Sequence, residues 1–135
     1  MEAQVQHYQH KLAYELDAAD LYDAVQNHEP IIIIDARQEA AYAAEHIPGA
    51  VSFGHRLMNK ESIRMLDRSK LYVTYCDGIG CNASTKGALK LSRLGFQVKE
   101  LMGGLDWWKR DGYATEGTRT APQLGGADGG IGCNC

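Results

Sequence analysis

Hydrophobic positions along the chain fall into short, dense runs separated by amphipathic stretches. The densest run is Ile31-Ile32-Ile33-Ile34, which follows Pro30. Consecutive β-branched residues suit a strand buried on both faces, as in a parallel sheet. Leu71-Tyr72-Val73-Thr74-Tyr75 reads as a second strand and runs directly into Cys76. Ala50 to Phe53 and Phe96 to Leu101 read as two more, and Leu12 to Leu16 as a short one near the start. Residues 1 to 11 show no strong pattern. Between the strands the period lengthens. Asp17, with Asp20 three positions on, has the form of a capping box, and Leu21, Tyr22 and Val25 make a helical stripe to about Asn27. Gln38 to Glu45 is alanine-rich and helical until Ile47-Pro48-Gly49 breaks it. Asn59 to Leu66 is expected to be a short helix. Another helix starts near Ser84 or Thr85, with Ala88, Leu91 and Leu94 facing inward and Lys86, Lys90 and Arg93 facing water. Gly95 stops it. Gly103-Gly104 leads into a last short helix carrying Trp107 and Trp108; adjacent positions on a helix point different ways, so one is expected in the core and the other outside.

Strands that alternate with helices imply a parallel α/β sheet. The chain has 135 residues, enough for one domain with a real core and little more. From about Glu116 the composition turns to glycine, and the chain ends Gly132-Cys133-Asn134-Cys135. The organisation expected is therefore a domain over 1–115 and a flexible tail over 116–135 with a thiol tip. The net charge of −3 gives no electrostatic case for nucleic acid or an anionic membrane. No apolar run approaches the roughly 20 residues that cross a bilayer, and the N-terminus lacks the pattern of a signal peptide. A cytoplasmic location is the default expectation. The four cysteines come late and in two local pairs, Cys76 with Cys81 and Cys133 with Cys135, so they cannot staple the fold. In a reducing compartment such pairs serve catalysis, redox sensing or metal binding.

The candidate chemistry centres on Cys76, at the end of a strand and the start of a loop that turns into a helix. Ligands of open α/β sheets bind beyond the carboxyl ends of the strands. A loop entering a helix N-terminus aims backbone N–H groups and the positive end of the helix dipole at one point. That environment stabilises an anion, so it lowers a thiol pKa and makes Cys76 a candidate nucleophile. Asp77, Gly78, Ile79, Gly80, Cys81, Asn82, Ala83 and Ser84 would form the substrate cradle, with Gly78 and Gly80 allowing it to curl. The plain alternative is an inert buried thiol at a strand end.

These residues resemble the rhodanese family. The resemblance covers roughly Leu12 to Gly112 and is carried by Ile31 to Arg37, by Glu45-His46-Ile47-Pro48-Gly49-Ala50, and by Tyr72 to Cys76. It continues in Leu94-Gly95-Phe96-Gln97-Val98 and Met102-Gly103-Gly104-Leu105-Asp106-Trp107-Trp108. It implies a rhodanese-like three-layer domain with a mostly parallel sheet of about five strands flanked by helices. It also implies a sulfurtransferase in which Cys76 carries sulfane sulfur as a persulfide, held by the amides of the loop, and passes it to a nucleophile. No metal and no cofactor are implied. The partners implied are a small sulfur-containing anion or persulfide donor and a protein thiol acceptor.

The loop departs from the family pattern. An arginine or lysine usually lies about five residues after the cysteine, where this chain has Cys81, and no arginine occurs between Cys76 and Ser84. This puts thiosulfate in doubt as the preferred donor. It also argues against the related phosphatases and arsenate reductases, which clamp a tetrahedral oxyanion with that arginine. Lys86, in the first helical turn, could partly substitute, and Arg56, in a stretch that by resemblance borders the pocket, is a candidate substrate-side cation. Cys81 is either a resolving thiol that closes a disulfide with Cys76 or a small apolar residue under the loop. Cys133 and Cys135 could resolve or accept sulfur, or bind a soft metal with another chain. Asp35 and Arg37 read as a structural ion pair near the site, and His46 as a turn anchor. Three functions remain open at this level: a sulfurtransferase, a thiol–disulfide redox protein, and a non-catalytic binding module on the same fold.

Overall fold

The computed structural model describes residues 1–119. Five strands form one sheet in the order β1-β5-β4-β2-β3, and every pairing is parallel. They are β1 (Glu15–Leu16), β2 (Ile31–Asp35), β3 (Val51–Ser52), β4 (Leu71–Tyr75) and β5 (Gln97–Leu101). Parallel neighbours need crossovers, and helices supply three of them: α2 (Ala18–Gln26), α3 (Glu39–Ala44) and α4 (Ala83–Arg93), with α1 (Glu2–Tyr14) ahead of the sheet and α5 (Gly104–Arg110) after its last strand. The parallel α/β sheet expected from the alternation is present, and helices flank it as the resemblance implies.

The isoleucine run and β4 lie side by side at the centre, Ile31 opposite Leu71 and Asp35 opposite Tyr75. Alternate side chains go to opposite faces, so each central strand feeds two cores. Ile33, Val73 and Tyr75 join Leu21 of α2 and Leu105 and Trp108 of α5 on one side. Ile34 and Tyr72 join Met58, Ile63, Leu91 of α4 and Phe96 on the other. Fully burying one such aliphatic side chain stabilises the fold by about 1.5–3 kcal/mol, which is why the pattern of these strands dominated the sequence. Among the described residues, every buried side-chain nitrogen or oxygen has a hydrogen-bond partner.

Helix α2 starts as its capping box requires: the Asp17 carboxylate accepts from the Asp20 N–H at 2.8 Å, and Asp20 reciprocates. Two local expectations fail. Residues 2–14 are helical, and only Glu15–Leu16 of the expected strand pairs with the sheet. Helix α1 buries no residue, so it has no buried stripe for a periodicity to reveal. The expected helix over 59–66 is instead a series of turns. The Asn59 carbonyl oxygen of the side chain accepts from the Glu61 and Ser62 N–H groups, and Ser62 Oγ donates to the Leu57 carbonyl. These short polar side chains take the backbone groups that a helix would use. Ile63 still reaches the core from this segment.

The chain stays on the domain beyond Thr115. His46 and Glu116 exchange both backbone hydrogen bonds, and Thr118 and Arg119 donate to the carbonyls of Ala43 and Ala44. The boundary expected between 115 and 116 falls inside this contact. Cys133 and Cys135, with the rest of the expected tail, lie outside the described residues.

Candidate active site

Strand β4 delivers Cys76 to the carboxyl edge of the sheet, where it is 1% exposed and packs with Ala36, Ala83 and Cys81. Ala83 is the first residue of α4, so the helix N-terminus adjoins the sulfur. Cys76 and Cys81 are joined by a disulfide, with Cα atoms 6.2 Å apart. The intervening loop closes through a hydrogen bond from the Cys81 N–H to the Gly78 carbonyl at 3.2 Å. Ile79 stands at its tip, 80% exposed.

The Cys76 side of the loop is tied down from two directions. From α5, the Leu105 N–H donates to the Cys76 carbonyl at 2.9 Å and the Asp106 N–H donates to the Asp77 carbonyl at 2.8 Å. This close approach needs the Gly103-Gly104 pair, which has φ of +78° and +57°. A Cβ on Gly104 would overlap the Cys76 carbonyl oxygen. From just past the end of β2, Arg37 Nη1 donates to the Asp77 carboxylate at 2.7 Å.

Arg37 itself is fixed by Asp35. Its Nε and Nη2 donate to the two Asp35 carboxylate oxygens at 2.9 and 2.7 Å, and its Nη2 also donates to the Glu45 carbonyl. Both side chains are buried. Burial lowers the Arg37 pKa, but the hydrogen bond and charge of Asp35, joined by the bond to Asp77, outweigh it and leave the pKa raised. The Tyr75 hydroxyl donates to Asp35 Oδ2 at 2.8 Å and accepts from the Ile47 N–H at 3.1 Å. Burial, then the Asp35 charge, pushes the Tyr75 pKa far above the ordinary tyrosine range. Asp35 and Arg37 thus couple the central strands to the active loop and to Ile47-Pro48-Gly49.

A cleft of about 280 Å³ opens beside the disulfide. Cys76, Gly78, Ile79, Cys81 and Ser84 line it from the loop side, and Glu15, Glu100, Met102, Gly103 and Gly104 from the facing side. Ser84 Oγ and Thr85 Oγ1 both donate to Glu100 Oε2, at 2.7 and 2.6 Å. Among the described residues the lining holds two carboxylates and no lysine or arginine.

The residues expected around the cradle divide. Ala83 packs against Cys76 without lining this cleft, and Asn82 and Gly80 are exposed on the loop. Asp77 faces a neighbouring cleft with Arg37, Asp106 and Lys109. Arg56 lines a third cleft, with Ala36, Arg37, Ser52 and His55, and does not border the one beside Cys76. Lys86 is exposed on α4. His46 anchors a turn: its ring stacks on Tyr42 and its Nδ1 meets the Tyr42 carbonyl at 2.6 Å. Of the tryptophans, Trp108 is 4% exposed and Trp107 44%. Sequence reasoning missed Glu15 and Glu100. The usable signal was the position of Glu100 near the carboxyl end of its strand, where ligands of parallel sheets bind; Glu15 joins it only through the pairing of β1 with β5.

A parallel α/β sheet that presents a loop cysteine at its carboxyl edge, flanked by a helix N-terminus, defines a class of small cysteine-loop domains. The model of the rhodanese-like domain matches residues 17–111, and the chain belongs to that family. The crystal structure of the BH2092 protein from Bacillus halodurans is 40% identical, with 87% of each chain covered and a TM-score of 0.83. The solution structure of the rhodanese-like domain of the Alr3790 protein from Anabaena sp. is 30% identical over 85% of this chain and 87% of that one, with a TM-score of 0.71. A full-length protein from Lactobacillus plantarum shares the fold, at 24% identity and a TM-score of 0.75 over 86% of this chain and 98% of that one. No curated protein matches the chain. Among the described residues, no helix is long and apolar enough to cross a membrane.

Proposed function

We propose that this domain is a sulfurtransferase that accepts sulfane sulfur on Cys76 as a persulfide and passes it to a thiol or other nucleophile. The observation that carries this reading is the position of Cys76: at the end of β4, against the first residue of α4, and on the wall of a cleft that reaches solvent. When the disulfide is reduced, the helix N-terminus favours the thiolate, which is the attacking species. The same dipole and loop amides would hold the negative charge of a persulfide.

The cleft also bears on the donor. Glu15 and Glu100 place negative charge where a thiosulfate dianion would have to enter. A persulfide donor with its charge remote from the reacting sulfur meets less repulsion, since the Coulomb energy falls with distance. We therefore infer that a low-molecular-weight or protein persulfide is a better donor than thiosulfate, and that the acceptor is a thiol. The Cys76–Cys81 disulfide favours a second reading, a dithiol–disulfide redox protein that carries no sulfur.

Intact-mass spectrometry of the fully reduced chain separates the two. The protein is exposed to thiosulfate or to glutathione persulfide and trapped by alkylation within seconds, beside Cys76→Ser. The sulfurtransferase reading expects the gain of one sulfur atom in the wild type, faster from the persulfide, and none in Cys76→Ser, because a serine hydroxyl is not ionised at neutral pH. Loss of two hydrogens at every trapping time, with no sulfur adduct in the wild type or in Cys81→Ser, would establish the redox reading instead.

A further inference from the structure

Cys81 occupies the loop position closest to the sulfur that would carry the persulfide, and the fold brings the two within bonding range. Their Cα atoms are 6.2 Å apart, inside the span of about 4.4–6.8 Å that a disulfide requires. The two limbs of the loop differ in how they are held. Cys76 and Asp77 are anchored through their carbonyls by α5 and through Asp77 by Arg37. The limb from Gly78 to Cys81 is a turn with an exposed tip, and the Cys81 N–H donates to the Gly78 carbonyl across it. The anchored limb fixes the sulfur acceptor, and the turn carries the second thiol to it.

We infer that Cys81 resolves the Cys76 persulfide inside the loop, so that the domain releases sulfur as hydrosulfide and stops in the disulfide state. The inference rests on the sulfurtransferase reading and specifies its product. In the loading step, the Cys76 thiolate attacks the outer sulfur of a donor R–S–SH, giving Cys76–S–SH and R–S⁻. In the resolving step, the Cys81 thiolate attacks the Sγ of Cys76, the Cys76–S bond to the outer sulfur breaks, and HS⁻ leaves with the electron pair. The products are the Cys76–Cys81 disulfide and hydrosulfide, and the outer sulfur has been reduced by the two thiols. A dithiol reductant then restores both cysteines and is itself oxidised to a disulfide.

The resolving step is favoured in two ways. The attacking thiol is held on the same short loop, so its effective concentration far exceeds that of any thiol in solution. Hydrosulfide is the conjugate base of a fairly strong thiol acid, and exchange is faster when the leaving group is a weaker base. An external thiol must instead enter the cleft before Cys81 reacts. The loop thereby sets a competition between handing sulfur to an acceptor and discarding it as sulfide, and each discard switches the site off until a dithiol arrives.

The test uses the full chain, reduced with dithiothreitol and freed of it, then mixed with one equivalent of glutathione persulfide. Hydrosulfide is measured with monobromobimane, and the protein by intact mass and non-reducing peptide mapping. Wild type and Cys81→Ser are compared, with a Cys133→Ser and Cys135→Ser double variant to remove the tail thiols. The expected result is near-stoichiometric hydrosulfide and a mapped Cys76–Cys81 disulfide in the wild type and the tail variant. Cys81→Ser should keep a stable persulfide on Cys76 and release at least tenfold less hydrosulfide. Peptide mapping of the wild type decides the point even if Cys81→Ser does not fold. A wild type that keeps its persulfide without releasing hydrosulfide would overturn the inference and leave the sulfurtransferase reading standing. Hydrosulfide release lost only in the tail variant would overturn it too, assigning resolution to Cys133 or Cys135. Absence of any Cys76 persulfide in both the wild type and Cys81→Ser would remove the sulfurtransferase reading, and the inference with it.

Discussion

Gly104 is where the family's glycine pair meets the active loop, and replacing it with alanine tests that contact directly. Its φ is +57°, in the left-handed region. A Cβ there would overlap the Cys76 carbonyl oxygen and lie 3.0 Å from both Cys76 C and Gly78 N. These neighbours are backbone atoms, so relief requires α5 and the loop to separate. The left-handed conformation costs a non-glycine residue about 1–2 kcal/mol. Separation also weakens the Leu105 N–H bond to the Cys76 carbonyl, worth about 1 kcal/mol net. Together these predict a destabilisation of about 2–3 kcal/mol, a fall in Tm of roughly 8–12 °C for a domain of this size. Gly49 provides the control. Its φ is +84°, but a Cβ there would meet nothing within 4 Å. Gly49→Ala should therefore cost only the conformational part, about 1–2 kcal/mol, and leave sulfur loading of Cys76 intact. Gly104→Ala should also slow loading, because the backbone that aims Cys76 has moved. Thermal denaturation of the reduced proteins and trapped-persulfide mass spectrometry supply the two readouts. The reasoning is refuted if Gly104→Ala melts at the same temperature as Gly49→Ala and loads at the wild-type rate.

Two other predictions concern the buried polar network behind the loop. Arg37→Leu leaves the Asp35 carboxylate buried without its ion partner, a situation that typically costs 3–5 kcal/mol, roughly. Urea unfolding should show a loss in that range, partly recovered when Asp35→Asn is added; a loss below about 1 kcal/mol would show that water or another cation replaces Arg37. Tyr75 keeps its proton in the folded state at a pH where the unfolded chain has released it, and Tyr72, also raised chiefly by burial, behaves the same way. Above pH 10, the ordinary tyrosine value, the folded state therefore binds more protons than the unfolded one, and stability falls as pH rises, by up to about 1.4 kcal/mol per pH unit for each group. Chemical denaturation between pH 9 and 11.5, roughly, should show that decline flattening in Tyr75→Phe; an identical slope in both proteins would place the titrating group elsewhere.

Much of the fold was legible because it depends on local rules. The isoleucine run and Leu71–Tyr75 had to be strands buried on both faces, and helices between them made the sheet parallel. Asp17 with Asp20 marked a helix start through a contact that spans one turn. Glycine after α4 and the glycine pair before α5 marked chain reversals, and the cysteine at the end of β4 marked the site. Where the local signal was weak, the reading failed. Helix α1 has no buried face, so nothing in its periodicity separated it from a loop. Residues 59–66 looked helical by composition until Asn59 and Ser62 captured the backbone.

The sequence by itself determined the sheet's central strands, the family resemblance and the place of the loop cysteine proposed as nucleophile, because each is written in residues adjacent along the chain. It also set Cys81 five residues from Cys76. Only the tertiary structure decided that these two sulfurs meet, on a loop whose Cys76 end is held by α5 and by Arg37, far away in sequence. The same is true of the cleft. Glu15 and Glu100 give it its charge, yet they lie 85 positions apart and become neighbours only when β1 pairs with β5. Backbone pairing between distant strands, which composition and periodicity do not encode, is what turned a loop thiol into a site with a sign and a partner.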